Sequence, residues 1–187
     1  AEAGGVISSP CPYLIKDDTT LGPIKINCDV KISGSPTLTL TGNIWVVGNI
    51  DITNTPTLIT DASLHNISAV LIADNPSNRL TSSKIELENS SKFFSSEQSG
   101  SYILFVSQNN SAELGGSERA IEIGNTAQGD VVLYAPHGEV LLQNNITLRE
   151  VTGYKVHLKN SAAVEYTMGT QNLLFSTGPS GGYEIVD

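Results

Sequence analysis

The chain has 187 residues, 39% of them hydrophobic and only 16% charged, with a formal net charge of −9 and a pI near 4.7. This length suits one domain with a sizeable core, and the acidity excludes a nucleic-acid footprint, which needs clustered Lys and Arg. Acidity also disfavours adsorption to anionic membranes, and no apolar run approaches the roughly 20 residues that span a bilayer. Asn, Ser, Thr and Gly take the place of charge, a mixture that favours short strands and turns over helices.

Residues 1–23 show no repeat. Ala1-Glu-Ala-Gly-Gly5 reads as a trimmed start, with any export signal or anchor expected outside this sequence. Pro10, Pro12, Gly22 and Pro23 break the segment up, and it is expected to be an N-terminal cap over the open end of a repeat array. Cys11 and Cys28 are an even, closely spaced pair. They are read as a disulfide rather than two reduced thiols, which implies an oxidising compartment. Two Cys without matching His make no zinc site.

From Ile24 the chain alternates apolar and polar residues in short runs, as half-buried strands do: Ile24-Lys-Ile26, Val30-Lys-Ile32, Leu38-Thr-Leu40, Ile44-Trp-Val46 and Ile50-Asp-Ile52. Gly34, Gly42 and Gly48 mark the corners between them. A motif then recurs: an aliphatic residue, any residue, Asn or Gly, and a small polar residue. It stands at Ile32, Ile52, Leu87, Ile123, Leu142 and Leu158, with looser versions at Ile72 and Val106. Steps of 15 to 20 residues between these positions give the period of a β-solenoid. The expected fold is an all-β, single-domain, right-handed parallel β-helix of about eight coils over residues 24–167, closed by a C-terminal cap at 168–187.

Two polar stretches interrupt the rhythm. Asp74, Asn75, Asn78 and Arg79 belong to one, and Asn110, Glu113 and Glu118 to the other. Insertions in repeat proteins gather on one face that is often the binding face, so these residues are candidate contact loops. Asn54, Asn89, Asn125, Asn144 and Asn160 recur two residues beyond the aliphatic position. Asn tolerates left-handed backbone angles, and stacked Asn side chains bond along a fibre-like axis, so these positions are read as a structural ladder. The alternative is a row of amides lining a sugar-binding groove.

Chemistry is sparse. His65, His137 and His157 lack metal-ligand spacing, and no metal or cofactor is expected. Asp51, Asp61, Asp74, Glu86, Glu88, Glu122 and Glu165 are scattered and mostly occupy polar strand positions. Stacked coils could still bring two of them to the separation of a glycosidase acid–base pair. Trp45 and the tyrosines offer a carbohydrate platform or ordinary packing. No catalytic residue is assigned.

Several stretches together carry a resemblance. Cys11-Pro-Tyr13 with Leu21-Gly-Pro-Ile-Lys-Ile-Asn-Cys28, Leu40-Thr-Gly-Asn-Ile-Trp-Val46, Ile72-Ala-Asp-Asn-Pro-Ser-Asn78, Val106-Ser-Gln-Asn-Asn110, Leu142-Gln-Asn-Asn145 and Phe175-Ser-Thr-Gly-Pro-Ser-Gly-Gly-Tyr183 resemble PilX-like, type IV pilus-assembly-associated proteins, many from candidate-phylum bacteria. The resemblance implies a pilin-like protein with a β-helical domain outside the cell, anchored by an N-terminal hydrophobic helix that this sequence does not contain. It implies pilus or cell-envelope proteins as partners, with surface glycans as a further class, and it supplies no catalytic residues. Bactofilins share the short-rung texture of Gly42-Asn-Ile-Trp-Val-Val-Gly-Asn-Ile-Asp51, but their cytosolic setting fits a disulfide poorly. The expectation is therefore a non-enzymatic extracellular domain with a structural or adhesive role. A carbohydrate-binding or polysaccharide-degrading β-helix and a self-assembling filament subunit stand as alternatives.

Overall fold

The computed structural model describes residues 4–88, 90–95, 101–124, 128–129, 131–144, 146–148, 150–164 and 174–175. Short strands follow one another around a common axis. The first turn comprises β1 (Val6–Ile7), β2 (Tyr13–Ile15) and β3 (Thr19–Leu21), and the second β4 (Ile24–Ile26), β5 (Val30–Gly34) and β6 (Thr37–Leu40). The third holds β7 (Ile44–Val46), β8 (Ile50–Asn54) and β9 (Thr57–Thr60), and the fourth β10 (Ile67–Ala73), β11 (Ile85–Leu87) and β12 (Lys92–Phe94). Next come β13 (Ile103–Ser107), β14 (Arg119–Ile123) and β15 (Gln128–Gly129). In the last two turns β16 (Val131–Gln143) and β18 (Glu150–Lys159) each run around a corner, followed by β17 (Thr147–Leu148) and β19 (Ala163–Val164) respectively. Leu174–Phe175 form β20.

All pairings are parallel. They define face one (β1-β4-β7-β10-β13-β16), face two (β16-β14-β11-β8-β5-β2) and a separate seven-stranded sheet, face three. Faces one and two form a single curled sheet because β16 belongs to both, bending where its pairing register shifts between Ala135 and Glu139. The result is an all-β, solenoid-like stack.

Alternation along each strand sends every second side chain inward. On face two, Ile15, Ile32, Ile52, Leu87, Ile123 and Leu142 stand in one register column, each at most 2% exposed. Leu38, Leu58 and Phe93 form its counterpart on face three. Phe93 meets Phe105 of face one edge-on across the interior, with ring centres 5.6 Å apart. Column on column, the core is continuous.

Two expectations change. The aliphatic series mixed two faces: Ile72 and Val106 pair with each other on face one, whereas the other six positions lie on face two. The insertion in the fourth turn lengthens the step from Ile52 to Leu87 and that in the fifth turn the step from Leu87 to Ile123, so a constant stride lands on the wrong side. The second concerns residues 1–23, in which the sequence alone shows no repeat. Residues 6–21 pair strand by strand with the second turn, and Ile15 heads the inward column of face two. Gly22, at φ +110°, closes this turn; a Cβ there would sit 2.6 Å from the Gly42 carbonyl oxygen, so neither the angle nor the space admits a larger residue. The C-terminal segment 168–187 lies outside the described residues apart from Leu174–Phe175, which pair with Ile67–Ser68 of the fourth turn.

Candidate functional site

Both insertions leave the stack at the same corner, between faces one and two. Residues 74–84 connect β10 to β11, and residues 108–118 connect β13 to β14 one turn further on. They lie directly on one another and share a buried polar core. Asn109, fully buried, donates through Nδ2 to the carbonyls of Ser82 (2.8 Å) and Leu80 (3.3 Å), and its Oδ1 accepts from the Ser111 amide (3.1 Å). Ser107 Oγ donates to the Ser83 carbonyl (2.6 Å), and Ser83 Oγ accepts the Asn75 amide (2.7 Å). The Asn110 amide donates to the Arg79 carbonyl at 3.0 Å. These bonds offset the cost of burying the polar groups that make them, whereas Asn110 Oδ1 is buried without a hydrogen-bond partner.

This network holds the candidate contact residues in place. Arg79 grips Asp74 through two bonds of 2.8 and 3.0 Å, Lys84 reaches Glu118 at 2.9 Å, and His137 Nδ1 lies 2.8 Å from Glu113 Oε2. Asn78 binds Thr81. Leu80 and Leu114 point to solvent, Leu114 being 66% exposed. The structure thus brings Asp74, Asn75, Asn78, Arg79, Asn110, Glu113 and Glu118 onto one protruding corner.

Next to that corner, face two carries an outward column of charge: Lys31, Asp51, Glu86 and Glu122 stand in register on successive turns. Adjacent strands lie about 4.8 Å apart, so three carboxylates follow one another at that repeat. Like charges in register repel, and the outer two are compensated. Lys31 Nζ lies 3.3 Å from Asp51, while Glu122 accepts from Arg119 (2.9 Å) and from Gln143 (2.8 Å). Glu86, between them, is shifted instead. Desolvation is the larger cause and pushes its carboxyl above the ordinary glutamate range; Asp51, Glu122 and Glu88 add to the shift and Lys84 opposes it. A cleft of about 320 Å³ opens beside this column, lined by Glu86, Glu88, Glu122, Gly124, Gln143 and Asn144. The sequence could not reveal the column, because 35 residues separate Asp51 from Glu86 and 36 separate Glu86 from Glu122. The remaining scattered carboxylates do not join it. Asp61 caps a short 3-10 helix (Ala62–Leu64), Asp74 belongs to the corner, and Glu165 lies outside the described residues.

At the opposite edge of face two, Asn54, Asn144 and Asn160 have φ of 72°, 64° and 52°, and Gly34, in register with Asn54, has 91°. β5, β8, β16 and β18 leave the face here through a left-handed residue, which Asn and Gly accept most easily. Asn160 Nδ2 donates to Asn144 Oδ1 at 3.0 Å, a rung of side-chain bonding between neighbouring turns. Asn89 and Asn125 lie outside the described residues. Three other residues bridge turns and escaped sequence reasoning. Asn43 Oδ1 accepts from the Val70 amide, Asn49 Oδ1 from the Lys84 amide, and Asp29 Oδ1 from the Asn49 amide.

Cys11 and Cys28 are joined in a disulfide, with Cα atoms 5.9 Å apart, which accords with an oxidising compartment. Trp45 is not an open sugar platform: Lys25 Nζ lies 4.2 Å from its ring centre, and its Nε1 donates to the Asp74 carbonyl. Among the described residues no group of three His, Cys, Asp or Glu could hold a metal ion, and no helix is long and apolar enough to cross a membrane. No family model, curated protein or solved structure matches the chain.

Proposed function

We infer that this chain is a non-enzymatic, exposed domain of a cell-surface or pilus-associated protein, with a structural or adhesive role. The observation that carries the reading is the doubled corner. Insertions from two consecutive turns are locked together by a buried Ser and Asn network, so the side chains above it are held rigid at little further cost in conformational entropy on binding. The outward side of face three supports it: one register column runs Thr20, Thr39, Ile59 and Phe94 and another Thr37, Thr57 and Lys92, so short hydroxyls in the early turns give way to larger side chains suited to contact. The disulfide suits export, and the resemblance to PilX-like proteins suggests pilus or envelope proteins as partners and a membrane anchor outside this sequence. The finer architecture, a right-handed parallel β-helix, belongs to the same proposal; the seven-stranded face three supports seven coils among the described residues, against about eight expected.

The second reading, a carbohydrate-active β-helix, is favoured by one observation: Glu86 has a raised proton affinity and sits between two carboxylates beside a cleft. One experiment separates the two. The domain is offered to immobilised cell-envelope fractions and a panel of acidic and neutral polysaccharides, with retention and release of reducing ends both measured. The first reading predicts retention that falls when Arg79, Glu113 and Leu114 are replaced by Ala, with no release of sugar. Release of reducing ends that Glu86→Gln abolishes would replace it with the second.

A further inference from the structure

The two ends of the stack are unlike. In the first turn the inward column of face two begins at Ile15, 2% exposed, and a face-three column at Leu21, 9% exposed, so the core is closed there. In the last described turn Val156 and Leu158 continue the inward columns of Val140 and Leu142, and Val164 continues that of Leu148. Val140, Leu142 and Leu148 are at most 1% exposed, but Val156, Leu158 and Val164 are 45%, 47% and 37% exposed. β18 is ten residues long, and among the described residues it pairs only with β16. A strand with one side unpaired and apolar side chains standing open beside it is the form of an edge that accepts a further strand.

Charge decides which strand. Lys155, His157 and Lys159 alternate with Val156 and Leu158, so they lie on the outer side of face two. Glu150 is the single acidic residue in 150–164, which makes this turn cationic in a chain of net charge −9. A second copy is a poor occupant by either route. Stacked head to tail in the same columns, Ile15 of the copy would sit on Leu158, and Lys16 would fall about 4.8 Å from Lys159. Set tail to tail, two antiparallel β18 strands that align Val156 with Leu158 would put Lys155 opposite Lys159. Like charges directly opposite destabilise a strand pair, and lysine on an edge is a device against pairing with its own kind. An acidic strand meets attraction at the same positions.

We propose that the last turn is a strand-docking edge for a second protein. The occupant is an extended segment in which Asp or Glu alternates with aliphatic residues. Its aliphatic side chains cover Val156 and Leu158, and its carboxylates meet Lys155, His157 and Lys159. This surface is separate from the doubled corner, which belongs to the fourth and fifth turns, and does not depend on it.

The test uses the full chain and two labelled synthetic peptides, one alternating Glu with Val and one alternating Lys with Val. Fluorescence anisotropy should show the Glu peptide binding more tightly by about tenfold or more, and binding should weaken as salt screens the charges. In the free chain the amides of 150–159 should exchange faster than those of β8. Bound Glu peptide should slow them by about tenfold or more and leave 74–84 unchanged. Lys155→Glu/Lys159→Glu should reverse the peptide preference. Should that chain fail to fold, Lys155→Ala/Lys159→Ala takes its place and should abolish the preference. Absence of binding, a preference for the Lys peptide, or binding indifferent to these substitutions overturns the proposal. So does exchange in 150–159 that is as slow as in β8 before any peptide is added. Sedimentation that shows a dimer or longer assembly with these amides protected would give the edge to a second copy, and overturns it too.

Discussion

Asn109→Ala is the sharpest perturbation of the doubled corner. Asn109 is fully buried and makes three side-chain hydrogen bonds, two across to the other insertion and one within its own. Truncation leaves the Ser82 carbonyl and the Ser111 amide without these partners in a buried site. An unsatisfied buried group costs about 1–3 kcal/mol, so allowing for some water entry the loss should be about 2–4 kcal/mol. Urea unfolding followed by tryptophan fluorescence would read it as a lower midpoint with an unchanged slope. Hydrogen exchange should quicken first in residues 74–84 and 108–118. Asn109→Asp refines the argument: the carboxylate can still accept from Ser111 but faces two carbonyl oxygens. Its pKa should be raised, so its stability deficit should be large at neutral pH and shrink as pH falls through that value and the carboxyl can donate. A loss below about 0.5 kcal/mol for Asn109→Ala would refute the view that this side chain ties the loops together.

Glu86→Gln should stabilise the protein at neutral pH. A carboxyl whose folded pKa is raised favours the folded state below the unfolded value and loses that contribution as pH rises through the folded one, so the gain over wild type should fade in acid; urea midpoints across pH 4 to 8 check this. Replacing Cys11 and Cys28 by Ser should lower stability by about 3 kcal/mol on the chain-entropy model, read by thermal unfolding with and without reductant. At Asn144, where φ is 64°, Ala should cost about 1–2 kcal/mol and Gly much less, a rescue that a role based only on side-chain bonding does not predict. Gly22→Ala should destabilise by about 1–3 kcal/mol or prevent folding, because both the backbone angle and the Gly42 carbonyl resist a methyl group; circular dichroism and yield report it.

The alternation of Ile24, Ile26, Val30, Ile32, Leu38 and Leu40 was legible as stacked strands because inward and outward positions differ in polarity at period two. The Asn positions were legible for a similar reason, since a left-handed corner admits few residue types. The sequence was misleading where turns have unequal length. Ile72 and Val106 carry the local pattern of the face-two column but lie on face one, because insertions absorb the register. The outward carboxylates were individually visible, yet only parallel pairing sets Asp51, Glu86 and Glu122 side by side.

By itself, then, the sequence determined the strand-and-turn grammar and the left-handed corners at Asn54, Asn144 and Asn160, which depend on neighbours within a few residues, and it offered the two cysteines as a pair because they are the only two. The tertiary structure alone decided which insertions share a corner and which charges share a face. Those outcomes depend on register between strands 16 to 36 residues apart, set by burial of the whole core rather than by any local preference.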